Sequence, residues 1–259
     1  MNLLKQKIQS KQKIVGTIVS LSDPCICDII ATQPYDYVWI DMEHPHISYK
    51  DLLTHLHAAR ASKKPTIVRV PQDDLTATKK VLETGIDGII FPMARTVEDV
   101  RRWISYTLYP PHGTRGFGPI RAIRYGADDA IEYVEKSSLE ICRFVQIEHI
   151  DLINELEEVA KEPFLDGFIL GPNDLSGSMG KLGHVFDDDV AEQIKKAISI
   201  ARKHGKMIGL AGGFDEKTLK YWSQFDLDMI TAGSDWNFLY LQAKNTLERL
   251  KDIFVNKEL

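Results

Sequence analysis

Cysteine is scarce: the 259 residues hold three, Cys25, Cys27 and Cys142, which form neither a C-x-x-C pair nor an even set. That excludes a disulfide framework and a paired-thiol redox motif, and reduced thiols in a cytoplasmic protein are expected. Long apolar runs are missing as well. Ile14 to Leu21 follows Lys5, Lys7, Lys11 and Lys13 but is far too short to span a bilayer, so neither a membrane partner nor an export signal is expected. No basic block stands out among 32 basic and 37 acidic residues, and a net charge of -5 argues against a nucleic-acid partner. The run Gly113-Thr-Arg-Gly116-Phe-Gly118 lacks the order of a dinucleotide fingerprint and does not lead from a strand into a helix. No fixed-period repeat, low-complexity segment or linker divides the chain. A small-molecule partner is what remains.

What is present is a strict alternation. At 44% hydrophobic, the chain can bury one large core, and a single domain over residues 1–259 is expected. Apolar runs at Val15–Val19, Tyr37–Asp41, Thr66–Val70, Gly88–Pro92, Cys142–Glu148, Gly167–Gly171, Met207–Leu210 and Asp228–Thr231 read as strands. Amphipathic stretches such as Tyr49–Ala61, Thr76–Thr84, Val97–Leu108, Asp151–Lys161 and Asp188–His204 lie between them. Eight such units predict an α/β fold, a (β/α)8 TIM barrel, rather than an open doubly wound sheet. Near-helical spacing of Phe238, Leu241, Leu247, Leu250 and Phe254 predicts a last amphipathic helix that closes the barrel. The longest irregular piece, Tyr109 to Arg124, carries three Gly, three Pro and three Arg, a composition suited to a lid or binding loop.

Barrel enzymes place their chemistry at the C-terminal ends of strands. Those ends here are Asp41-Met-Glu-His44, Arg69, Pro92, Gln146-Ile-Glu148 and Gly171-Pro-Asn-Asp174, so polar groups from separate strands converge on one mouth. Glu148 and Asp174 end neighbouring parallel strands, and two carboxylates at one rim suit a hard divalent cation. Each also has a structural reading. Glu148 could end its strand in a salt bridge and Asp174 could be a helix N-cap. Arg69 could pair with a carboxylate of a neighbouring strand, and Gln146 could simply face the barrel interior. His55 and His57 point to different helix faces and read as structural, and His46 reads as a surface residue. A Schiff-base mechanism needs a desolvated lysine at a strand end, and none of the eight carries one: Lys161 and Lys206 precede strands.

Five stretches keep the order and spacing of a known family across nearly the whole chain: Asp41-Met-Glu-His44, Val68-Arg69-Val70, Pro110-Pro-His-Gly-Thr-Arg-Gly116, Gln146-Ile-Glu148 and Gly171-Pro-Asn-Asp-Leu-Ser176. Together they resemble the metal-dependent pyruvate (2-keto-3-deoxy acid) aldolases of the HpcH/HpaI type, in the phosphoenolpyruvate/pyruvate barrel superfamily. The resemblance implies a carbon–carbon lyase that reversibly cleaves a 4-hydroxy-2-keto acid to pyruvate and an aldehyde. Glu148 and Asp174 would be the protein ligands of Mg2+, Mn2+ or Co2+. Arg69 would face the keto oxygen and support the enolate, and Gln146, Asn173 and Arg115 would contact substrate. His44 would govern the proton, with Asp41 and Glu43 orienting it and the metal's water shell. The family pairs this histidine with an Asp, and the matching position here is Glu83, which could reach His44 across a subunit boundary. The family also implies a homotrimer or homohexamer built through the last helices. Alternatives within the same outline are an oxaloacetate decarboxylase or other enolate-forming lyase, and a non-catalytic barrel that binds a keto acid.

Overall fold

The computed structural model describes residues 2–71 and 73–255. Eight strands alternate with helices: β1 (Ile14–Val19), β2 (Tyr37–Asp41), β3 (Thr66–Arg69), β4 (Gly88–Phe91), β5 (Cys142–Ile147), β6 (Gly167–Leu170), β7 (Met207–Gly212) and β8 (Met229–Ser234). They pair in parallel and in chain order, and β8 returns to β1, so the sheet closes into the expected barrel. The helices before β5 are α1 (Leu3–Gln9), α2 (Pro24–Ala31), α3 (Tyr49–Ala61), α4 (Leu75–Glu83), α5 (Val97–Thr107) and α6 (Ala130–Glu140). Those after it are α7 (Ile150–Val159), α8 (Pro172–Ser178), α9 (Asp188–Lys203), α10 (Glu216–Trp222) and α11 (Asp235–Leu250).

The two-residue period of the strands separates the core into two parts and aims the functional side chains. Val38, Ile40, Val68, Val145, Ile147, Phe168 and Leu170 face outward and pack under the helices. Tyr37, Trp39, Ile67, Phe144 and Ile169 face inward and fill the barrel. Continuing the inward parity by one step reaches Asp41, Arg69, Gln146 and Gly171, and one step more on β5 reaches Glu148. The barrel is therefore packed with apolar side chains below and polar ones at its C-terminal mouth. Its opposite end is plugged by α1, whose Leu4 is fully buried with the interior cluster and whose Lys5 and Lys7 pair with Asp166 and Asp36.

Gly16 faces Tyr37 in the β1–β2 register, and a Cβ there would lie 2.2 Å from the tyrosine ring. Tyr37 is fully buried, and its hydroxyl is 2.6 Å from Thr231 Oγ1, so the ring has nowhere to retreat. Gly16→Ala is expected to cost about 1–3 kcal/mol by overpacking, read as a lower denaturant midpoint with an unchanged slope.

Several expectations are corrected in detail. Tyr109 to Ile123 is irregular as expected, but beyond it Arg124–Gly126 forms a 3-10 turn and α6, unmarked by a strong apolar stripe, follows before β5. Asp174 is not an N-cap: Gly171 holds that position, and Asp174 lies in the first turn of α8. The last helix does not close the barrel. Only Asp235 of α11 is buried, while Leu239, Leu247 and Leu250 are more than half exposed.

Candidate active site

The register sets Asp41 beside Arg69, the last residues of β2 and β3. Arg69 Nε donates to Asp41 Oδ1 (2.9 Å) and Nη2 donates to Asp41 Oδ2 (2.7 Å), a two-pronged pair that fixes the guanidinium plane. Arg69 Nη1 is 2.9 Å from Glu43 Oε2 and donates to Gln146 Oε1 at 3.3 Å. Beneath it lies the Trp39 ring, with its centroid 5.4 Å from the guanidinium carbon. Burial works against the charge of Arg69, but the bonds from Asp41 and the fields of Glu43 and Glu148 prevail and hold its pKa above the ordinary value. The ion-pair reading of Arg69 is thus realised, with Glu43 as a second partner beside Asp41. Three of the five guanidinium N–H groups donate hydrogen bonds, Glu43 adds an ion pair at Nη1, and one N–H on Nη2 meets no acceptor among the described residues.

Gln146 passes the network on, its Nε2 donating to Glu148 Oε1 at 2.8 Å. The second Glu148 oxygen accepts the Met93 backbone N–H at 2.9 Å, and Met93 adopts a left-handed φ of 59° to present it. Such a conformation costs a non-glycine residue about 1–3 kcal/mol, a cost that recurs at functional sites. Met93 was not legible in the sequence; its place just past the Pro92 strand end is the only signal. Burial pushes the Glu148 carboxyl up to about 7, with Glu43 and Asp174 adding to the rise and the Met93 N–H and Arg69 opposing it. Glu43 is also raised, first by burial and then by Asp41 and Asp174. The carboxylates of Glu43, Glu148 and Asp174 therefore share one electrostatic neighbourhood around Arg69, with Glu148 buried and Asp174 exposed at the rim.

Above this network opens a cavity of about 800 Å³, lined among others by Asp41, His44, His46, Arg69 and Asn173. Glu148 and Asp174 are not among its lining residues. His44 is 70% exposed, and its Nε2 lies 3.6 Å from Glu43 Oε2. His46, read from sequence as a surface residue, is exposed but sits on the cavity wall. The wall from β1, β7, β8 and α11, including Ser20, Phe214, Ser234, Trp236 and Asn237, was not picked out from the sequence, because its residues carry no charge to mark them.

Glu83 and Arg115 are elsewhere. Helix α4 runs back from the mouth, so Glu83 at its last turn lies near the start of β4. Arg115 is fully buried, with Nη2 donating to Glu83 Oε1 (2.7 Å) and Tyr133 Oη (3.2 Å) and its guanidinium 4.5 Å from the Tyr109 ring centroid. Within one chain, Arg115 cannot contact a ligand at the mouth, and Glu83 holds Arg115 rather than His44. The resemblance implied that Arg115 contacts substrate, and sequence cannot show that two aromatic rings and a carboxylate enclose it. Among the described residues, no group of three or more His, Cys, Asp or Glu side chains forms a ready cation cage.

Residues 15–217 match the HpcH/HpaI aldolase/citrate lyase family. The chain belongs to that family. It is 31% identical to a hydroxypyruvate/pyruvate aldolase of Deinococcus radiodurans, over 97% of this chain and 90% of that protein. It is 28% identical to one of Roseovarius nubinhibens, over 96% of both. A crystal structure of an HpcH/HpaI aldolase/citrate lyase family protein from Burkholderia cenocepacia superimposes with a TM-score of 0.90 at 26% identity, over 97% of this chain and all of that one. As a member of the family, the protein is a carbon–carbon lyase on the barrel that its alternating sequence predicts.

Proposed function

We propose that this family member is a divalent-metal-dependent aldolase that reversibly cleaves a 4-hydroxy-2-keto acid into pyruvate and an aldehyde. The observation that carries the reading is the hydrogen-bonded chain Asp41–Arg69–Gln146–Glu148 across three strands at the barrel mouth. The named activity of the Deinococcus relative supports the reaction class.

The residues present fit a divalent cation. Glu148 is held away from its ordinary ionisation by burial and by two further carboxylates, and a cation is what would relieve that excess of negative charge. Glu148 and Asp174 would hold Mg2+, Mn2+ or Co2+, and two protein carboxylates leave positions open for a chelating keto acid. A bound ion supplies Lewis acidity toward the keto oxygen. Arg69 directs its remaining N–H at the same oxygen and stabilises negative charge as the carbon–carbon bond breaks. Its doubly bonded contact with Asp41 keeps the guanidinium fixed, so little reorganisation accompanies the reaction. Gln146 and Asn173 position the keto acid. His44 takes the proton from the C4 hydroxyl during cleavage and returns it during addition, with Glu43 beside its Nε2.

Glu83 would reach a mouth only by way of a second copy, and Arg115, enclosed within its own chain, would support it from behind. A homotrimer or homohexamer is supported by the exposed apolar residues of α11 and the following Phe254, which is 84% exposed. Elution as a stable monomer would remove the assembly. The three cysteines are unpaired, which suits the cytoplasm, and no helix among the described residues is long and apolar enough to cross a membrane.

The test is pyruvate release from 4-hydroxy-2-keto acids, and the reverse addition of pyruvate to an aldehyde panel, with several divalent ions present. Aldol turnover is expected. Oxaloacetate decarboxylation well above any aldol reaction, or pyruvate binding without turnover, would contradict the reading.

A further inference from the structure

One contact of Arg69 differs in kind from the rest. Asp41, Glu43 and Gln146 each meet a guanidinium nitrogen with an oxygen, whereas Trp39 meets the group with an aromatic face. The guanidinium carbon sits over that ring, 5.4 Å from its centroid, within the reach of a cation–π contact. Trp39 precedes Asp41 by two residues on β2, so the parity that aims Asp41 at the mouth places the indole one layer lower on the same side.

The ring has no room to yield. Trp39 is fully buried in one cluster with Tyr37, Ile67, Phe144 and Ile169, and the Tyr37 hydroxyl is 2.6 Å from Thr231 Oγ1. The indole N–H meets no acceptor among the described residues, so what the side chain contributes is its packing and its face. That face holds a cation without consuming an N–H, which leaves the open Nη2 N–H for the keto oxygen. It also adds no formal negative charge to compete with the charge that builds on the substrate. Metal binding leaves the contact intact. A divalent ion held by Glu148 and Asp174 would offset the attraction of Glu148 for Arg69 and set a second positive charge nearby. The Asp41 pair and the ring beneath are the supports that do not depend on the metal ligands.

Building on the aldolase reading, we propose that Trp39 is a positioning residue for the reaction: its indole face holds the Arg69 guanidinium in place as a cation without drawing on the N–H that serves the substrate.

The test compares wild type with Trp39→Phe, Trp39→Leu and a protein carrying a tetrafluorinated tryptophan at position 39 alone, which nearly keeps the indole's shape but withdraws electron density from its face. One readout is pyruvate release from 2-keto-3-deoxygluconate with Mn2+. The other is the rate at which phenylglyoxal labels Arg69 in the metal-free protein, followed by peptide mass. Only the uncharged guanidine attacks that reagent, so a contact that favours the cation slows labelling. Fluorination is expected to lower kcat by about threefold or more and Trp39→Leu by about tenfold or more, the scale of a desolvated cation–π contact, with KM changed far less. Trp39→Phe, which keeps a weaker face, should fall between wild type and Trp39→Leu. Arg69 labelling should quicken in the fluorinated protein and in both variants, while the other arginines keep their rates. An unchanged kcat or an unchanged Arg69 labelling rate on fluorination would overturn the inference whatever Trp39→Leu does, since the ring would then be a steric floor only. Wild type that releases no pyruvate from any 4-hydroxy-2-keto acid would remove the aldolase reading and the role of Trp39 with it, whereas equal labelling in an active enzyme would remove the role of Trp39 alone.

Discussion

Replacing Arg69 with alanine is expected to lower aldol turnover by about 10²–10³-fold, the usual worth of a fixed cation or donor where negative charge develops. The loss should fall on kcat and kcat/KM together, because the contact strengthens only as charge builds on the keto oxygen. Stability will also fall. Asp41 and Glu43 lose their partner inside a buried network, and breaking such a pair costs roughly 3–5 kcal/mol. Turnover must therefore be measured where circular dichroism shows the variant folded. Arg69→Lys separates the roles: it keeps a charge but cannot make the two-pronged bond to Asp41 while also reaching Gln146. A loss below threefold in a folded Arg69→Ala would make the arginine an ion-pair residue only.

Gly171→Ala is expected to weaken metal affinity and activity by about 10–100-fold, the scale of damage when the support of a metal ligand is disturbed. The reason is local. A Cβ at Gly171 would lie 2.6 Å from both Cγ and Oε1 of Glu148. Gly171 has φ -111°, a conformation open to any residue, so backbone strain does not enter. The methyl group must instead displace Glu148, which is held by Gln146 at 2.8 Å and by the Met93 N–H at 2.9 Å. Both bonds would break or stretch as the carboxylate swings. A manganese affinity equal to wild type in a folded Gly171→Ala protein would show that Glu148 can shift without consequence.

The barrel was legible because each strand announces itself as an apolar run and each outer helix as a 3.6-residue pattern, and the polar strand ends follow from the same parity. Asp41, Arg69, Gln146 and Glu148 share a face with Tyr37, Trp39, Ile67 and Phe144, so alternation alone aims them inward. The clamp between Arg69 and Asp41 was not legible as geometry, since β2 and β3 are 24 residues apart in sequence and the register that joins their ends appears only on folding. Helix α11 misled for a related reason. Its apolar residues have helical spacing, but spacing does not say whether the barrel or another surface receives them. Arg115 was expected against the substrate, whereas Tyr109, Tyr133 and Glu83 close around the guanidinium, an enclosure assembled from segments distant in sequence.

The proposed metal centre is one divalent ion held by Glu148 and Asp174 beside Arg69. It is tested most directly by stripping the protein with a chelator and titrating Mn2+ or Mg2+ back while following pyruvate release, in wild type, Glu148→Gln and Asp174→Asn. Turnover should vanish on stripping, return with a saturable dependence on the ion in wild type, and require far more ion in either variant. Turnover indifferent to the chelator, or variants that regain full activity at the wild-type ion concentration, would contradict it.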